Sequence, residues 1–183
     1  MTPLRTAVFA SIVFSATLAF AADVPRNLNV VVCQPNPHCI HHTIFGHAYR
    51  LLNTDRFSVM VFLSIEGRYT RADVSITNLT PTSIYLSPES FRIEALARPK
   101  VFPYVSPSRL DLHEIDAATQ PAAQEAIEFQ TANPHLRAIT IPPNQAVHGR
   151  VYFERDPSAT QQAVNIVLPI AGTIFKFPDV IKP

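Results

Sequence analysis

Val147, Gly149, Val151 and Phe153 alternate with His148, Arg150, Tyr152 and Glu154, and Val164, Ile166, Leu168 and Ile170 keep the same period of two. Strict alternation of this kind is the mark of a strand with one buried face. After the second run comes Ala171-Gly172, and then residues 173–177. That spacing predicts a tight hairpin closed by glycine at a positive φ. Upstream, Ala72, Val74 and Ile76 alternate with Arg71, Asp73, Ser75 and Thr77, which predicts another half-buried strand with its polar side in water. Residues 57–65 are almost continuously apolar and end at Glu66-Gly67, the pattern of a strand buried on both faces. Pro81 marks a turn over residues 79–82. Two short strands follow at 83–86 and 91–95, separated by Ser87-Pro88-Glu89.

One stretch has a different period. Ile115, Ala118, Ala122, Ala126 and Phe129 recur three and four apart, the stripe of an amphipathic helix. Pro121 kinks that helix or begins a second one. The expected architecture is therefore mainly β, with two antiparallel sheets packed as a β-sandwich and a helical insertion at about 110–131. The segment from Asn165 to Phe177 is apolar enough that a free edge there needs cover from a terminal strand, the insertion or a second copy. A homodimer is one of those solutions.

Several of these positions carry a family resemblance. Leu136 to Pro143, Val147 to Phe153, Val164 to Ile170 and Phe175-Lys176-Phe177-Pro178 resemble the closing strands of secreted bacterial immunoglobulin-like domains, the telokin-like or MPT63-like β-sandwiches. In that family a strand ending in Thr-Asn precedes a Ser-Pro and a core Phe, matched here by Thr77-Asn78, Ser87-Pro88 and Phe91. The resemblance covers residues 68–178 and implies an immunoglobulin-like fold without implying an activity. The chain departs from the pattern at Pro142-Pro143-Asn144, where the family has Pro-Gly, and in the size of its helical insertion.

The first 21 residues read as a signal peptide. Arg5 precedes an uncharged run from Thr6 to Phe20, and Ala19-Phe20-Ala21 supplies small residues at the two positions read by a signal peptidase. The run is shorter than the roughly 20 residues of a permanent transmembrane helix, and Asp23, Pro25 and Arg26 follow it at once. Cleavage after Ala21 leaves no transmembrane anchor, so the expected location is periplasmic or extracellular. Residues 22–56 then form an N-terminal Cys/His-containing segment ahead of a β-sandwich domain over 57–183. The chain has 15 basic and 14 acidic residues, and losing Arg5 makes the mature protein neutral. That balance argues against nucleic acid, whose binding needs Lys and Arg to neutralise phosphates, and against a polybasic membrane mode.

Candidate chemistry concentrates in one place. Both cysteines, Cys33 and Cys39, and four of the seven histidines, His38, His41, His42 and His47, lie within 15 positions. In an oxidising compartment two cysteines most simply form a disulfide, contributing at most ~2.4 kcal/mol by loop-closure entropy. The competing reading is a zinc or copper site, since thiolate and imidazole are the ligands those metals prefer. If the chain turns helical after Pro37, His38 and His42 share a face. Against metal, Cys-x5-Cys is not a structural zinc spacing, and Ile40, Ile44, Ala48, Leu51 and Leu52 also fit an ordinary packed helix.

Catalytic signatures are missing from the sequence. His113-Glu114 begins a His-Glu-x-x-His pattern, but the fifth position is Ala117. Neither a Gly-x-Ser-x-Gly elbow nor a phosphate-cradling glycine loop occurs. Asp111, Glu114, Asp116, Glu125 and Glu128 fit the solvated face of the expected helix. No catalytic residue and no cofactor is assigned. The expected function is an exported non-catalytic domain that binds a protein or envelope component or serves as a structural unit. The alternatives are metal binding or delivery through residues 33–47, and a hydrolase without a recognised motif.

Overall fold

The computed structural model describes residues 29–34, 37–44, 46–111, 135–156 and 161–181. The expected signal peptide, and the expected helical insertion from residue 112 onward, lie outside the described residues. At the start of that insertion Leu110 is extended (φ −74°, ψ 135°) and closes a short 3-10 turn.

The described chain is mainly β. Its strands are β1 (Asn29–Val32), β2 (Cys39–Ile44), β3 (His47–Asn53), β4 (Phe57–Glu66), β5 (Tyr69–Asn78), β6 (Ile84–Leu86), β7 (Arg92–Ala95), β8 (Val101–Val105), β9 (Ile139–Ile141), β10 (Ala146–Glu154), β11 (Gln162–Ile170) and β12 (Thr173–Ile181). Ten of them form one curled sheet in the order β1-β12-β11-β7-β8-β10-β5-β4-β3-β2, and β6 pairs with β9 alone. The sheet is mixed, because β1 runs parallel to β12, with Asn29 opposite Thr173 and Val32 opposite Lys176. The expectation of purely antiparallel sheets fails at this one pair. No hairpin joins β1 to β12, so nothing in the connection imposes an antiparallel direction.

The curl turns at β8. Pro103 removes a ladder donor there, and β8 meets β10 only through Tyr104 and Val105, opposite Phe153 and Tyr152. The two halves of the sheet then face each other over a common core containing Phe57, Ile76, Phe91, Ile93, Phe153, Ile166, Phe175 and Phe177, none more than 1 % exposed. Phe57 of β4 and Phe175 of β12 meet edge to face across it, with centroids 5.8 Å apart. This is the favourable quadrupole geometry for an aromatic pair.

The strongest sequence signals reappear as built elements. Residues 171 and 172 join β11 to β12 as a two-residue hairpin in which Ala171 (φ 43°) and Gly172 (φ 81°) are both left-handed, as the right-handed twist of paired strands demands. Asn144 takes φ 59° after Pro142-Pro143, a left-handed backbone that asparagine tolerates. Asn78 is fully buried. Its amide donates to the carbonyls of Thr82 (2.8 Å) and Ile141 (3.0 Å), and its oxygen accepts from Thr80 N and Oγ1. That corner ties the end of β5 to β9. In β4, Phe57, Val59 and Val61 are buried while Ser58, Met60 and Phe62 are only half-buried, so one face is sealed rather than both.

Candidate functional site

The Cys/His-containing segment supplies β1, β2 and β3, and so both ends of the curled sheet. Cys33 follows β1 and continues its ladder, donating from its amide to Lys176 O at 2.8 Å. Cys39 opens β2. The two are joined as a disulfide with Cα atoms 5.2 Å apart, and each is about 5 % exposed. The bond therefore clasps the two edges of one sheet. Beside it Arg50 of β3 donates from Nη2 to Asp179 Oδ1 of β12 at 2.8 Å, a second tie across the same seam. A cleft of about 390 Å³ opens there, lined by Cys33, Cys39, His41, Arg50, Pro178 and Asp179.

This geometry disperses the histidines. β2 and β3 pair antiparallel where a helix was expected, with Cys39 opposite Leu52 and Ile44 opposite His47. Gly46 at φ 79° makes the reversal, and β-branched Ile40, Thr43 and Ile44 favour the strand. His41 and His42 are strand neighbours and point to opposite faces. His41 sits opposite Arg50 beside the cleft and His42 opposite Tyr49, while His38 precedes β2 and its carbonyl accepts from Asn53 N at 2.8 Å. The cysteine sulfurs are committed to each other. Among the described residues no group of three or more His, Cys, Asp or Glu is arranged to hold a metal ion.

A second constellation was not apparent from the sequence. It occupies the face of β3, β4, β5 and β10 that points away from the common core. Arg71 and Asp73, read as a solvent side by alternation, are 6 % and 4 % exposed, as is Glu66 at 6 %. Arg71 bonds from Nη1 to Glu66 Oε1. It also lies against Asp73, with Nη2 3.3 Å from Oδ2 and Nε 3.2 Å from Oδ1. Arg150 Nε approaches Asp73 Oδ1 at 3.9 Å, and the Tyr152 hydroxyl donates to Glu66 Oε2 at 2.9 Å. Strand register assembles this group, since Arg150 lies opposite Asp73 and Tyr152 opposite Arg71.

Two cations and two anions balance within the cluster. Burial pushes the Asp73 carboxyl above its ordinary value against the opposing pull of Arg71 and Arg150. Burial, and then the Asp73 charge, push the Tyr49 phenol far up, and burial with the Glu66 charge does the same to Tyr152. Both phenols stay protonated, and that of Tyr152 donates to Glu66. The pairing of β4, β5 and β10 thus gathers these charges on one face, each beside a countercharge.

His135 lies at the rim of this cluster. It bridges to Arg150 and its ring centroid is 5.5 Å from that of Tyr152. Burial lowers its pKa below 6.5, and the charges of Arg150 and Arg137 lower it further against a smaller opposing effect of Glu66. A base depressed in the folded state binds fewer protons there than in the unfolded chain. Its contribution to stability is complete above 6.5 and is lost as pH falls from there through the folded value. Thermal unfolding midpoints measured between pH 8 and 5 should therefore fall with pH, and His135→Phe should make that fall shallower. Identical slopes for the two proteins would remove His135 from the account.

A signal for the cluster was present in the sequence. Arg-x-Asp at 71–73 and Arg-x-Tyr at 150–152 place complementary groups two apart on strands that pair, and Glu66 stands at the turn joining β4 to β5. No protein-family model and no curated protein matches this chain.

Proposed function

We propose that this chain is an exported, non-catalytic binding domain of the cell envelope or extracellular space, immunoglobulin-like in its strand arrangement, that takes up an extended segment of a protein partner along β2. The observation carrying this reading is the position of β2. It ends the ten-stranded sheet, pairs among the described residues with β3 alone, and exposes Ile40, His41, His42 and Thr43 in sequence. An exposed strand at a sheet end offers a row of backbone donors and acceptors to an incoming strand, with alternate side chains setting specificity. The disulfide fits an oxidising compartment. Among the described residues no helix is long and apolar enough to cross a membrane.

The test begins with a partner retained from an envelope extract and then purified. Its binding should slow hydrogen exchange at the β2 amides and leave β11 unchanged. Lysines at positions 40 and 43, which blunt an edge by charge, should weaken it by about tenfold, equivalent to ~1.4 kcal/mol. Protection centred on any other surface, or no retained partner under any condition, would overturn the proposal.

A further inference from the structure

We infer that β1 is an exchangeable strand and that the Cys33–Cys39 disulfide decides whether it serves its own chain or a second copy. β1 is four residues long, pairs among the described residues only with β12, and leaves Asn29 and Val30 exposed. What it covers is longer and more apolar. β12 is a nine-residue strand with Phe175 and Phe177 in the core. The outer edge of β12 beside Thr173–Lys176 thus needs a strand, and β1 is the one it accepts: Asn29-Val30-Val31-Val32, parallel, in the register given by Asn29 opposite Thr173. The β1 of another molecule has the same sequence and fits the same edge.

The connection to β2 has the composition of a hinge. It reads Cys33-Gln34-Pro35-Asn36-Pro37-His38-Cys39, so Gln34 and Asn36 each precede a proline, which biases them toward extended backbone. Fully extended, such a segment spans roughly 20 Å at about 3.3 Å per residue. In this fold its two ends are held 5.2 Å apart by the disulfide. The bond holds these ends together although the composition between them favours an extended chain. With thiols in place of the disulfide the hinge is free to straighten and carry β1 to the β12 edge of a second molecule, an exchange of identical elements that adds no new interface chemistry. The two hinges then run between the molecules. Cys33 of each chain lies beside Cys39 of its partner, and oxidation joins the chains by two disulfides instead of closing each on itself.

The chemistry balances as thiol–disulfide exchange. A dithiol reductant gives two electrons and two protons to each Cys33–Cys39 bond and becomes a cyclic disulfide. Oxidised glutathione then accepts two electrons for each bond re-formed and leaves as two glutathione thiols. A chain arriving newly exported carries both cysteines as thiols, so no reductant is needed at that stage. Chain concentration against the rate of closure then sets the outcome.

The experiment takes purified protein, half of it isotopically labelled and mixed with the unlabelled half, reduces it with dithiothreitol, and reoxidises it with oxidised glutathione at concentrations from micromolar to about millimolar. Never-reduced protein should be monomeric. After the cycle a dimer resistant to denaturant but not to thiol should appear and grow with concentration, and its peptides should show Cys33–Cys39 links between labelled and unlabelled chains. Pro35→Ala with Pro37→Ala should lower the dimer fraction several-fold. A variant with both cysteines changed to serine should give the same dimer without covalent links at the highest concentration. Absence of mixed-isotope Cys33–Cys39 links at every concentration overturns the inference. So do Cys33–Cys33 links in equal abundance, which mark random collision, and loss of the β circular-dichroism signal on reduction, since exchange requires the remaining sheet to stand when the clasp is open.

Discussion

Replacing Asp73 by alanine should cost the folded protein about 3–5 kcal/mol, because it leaves the buried Arg71 and the half-buried Arg150 without the carboxylate that they share. Urea unfolding at pH 7 is the measurement, and the midpoint should drop without a change in slope if the denatured state is unaffected. Two further variants separate the loss of a partner from the value of the network. Asp73→Asn keeps the shape and one acceptor but removes the charge, and should fall between the wild type and alanine. Replacing Glu66, Arg71 and Asp73 together by apolar residues of similar volume should recover most of the loss, since the cost lies in a charge stranded away from water more than in the absence of a bond. A triple variant as unstable as Asp73→Ala would mean instead that the network itself holds the register of β4, β5 and β10. The pH dependence adds a constraint. Burial holds the Asp73 carboxyl above its ordinary value, so the folded state takes up a proton there more readily than the unfolded chain. By linkage, Asp73 favours the folded state increasingly as pH falls through its folded value. Acid destabilisation in the mildly acidic range should therefore trace to His135 and not to this aspartate.

What the chain revealed beforehand follows from where each strand lies in the fold. The alternation at 147–154 and 164–170 was readable because Gly149, Val151 and Phe153 of β10 and Val164, Ile166, Leu168 and Ile170 of β11 are buried while most residues between them are not, Tyr152 and Val167 being the exceptions. The hairpin at Ala171-Gly172 was readable because few residues tolerate its backbone. β2 left no such trace. As an edge strand exposed from Ile40 to Thr43, it has little burial to imprint a period, and Ile40, Ile44, Ala48, Leu51 and Leu52 fitted a packed helix as well as a hairpin. The charge cluster was hidden for the opposite reason. Arg71 and Asp73 do alternate with a buried face, but hydropathy records that a side chain is polar and not whether water or a countercharge satisfies it. Neutrality is reached only when β4, β5 and β10 pair in register, which no single stretch of sequence displays. The parallel addition of β1 was equally out of reach, because four residues far from β12 in sequence carry no mark of their direction.

Phe175→Ala is the variant that tests whether the two halves of the sheet are one cooperative unit. Phe175 is fully buried and meets Phe57 across the core, so its truncation should cost about 3–5 kcal/mol through lost transfer and the cavity left behind. Phe57→Ala should cost a similar amount from the opposite half. In the double variant the sum should fail by about 0.5–1.5 kcal/mol, the range by which edge-to-face aromatic pairs exceed their area burial. Additive losses would mean that the rings fill space independently, with β4 and β12 in separately stable halves joined only at β8 and the seam. The seam makes this informative. Arg50–Asp179 and Cys33–Cys39 tie the same halves at the edge, while the phenylalanines tie them at the centre. If the aromatic pair carries the coupling, reduction of the disulfide should leave a single unfolding transition in the wild type. In Phe175→Ala the same reduction should split it, because only then are the aromatic tie at the centre and the covalent tie at the seam lost together, leaving Arg50–Asp179 alone.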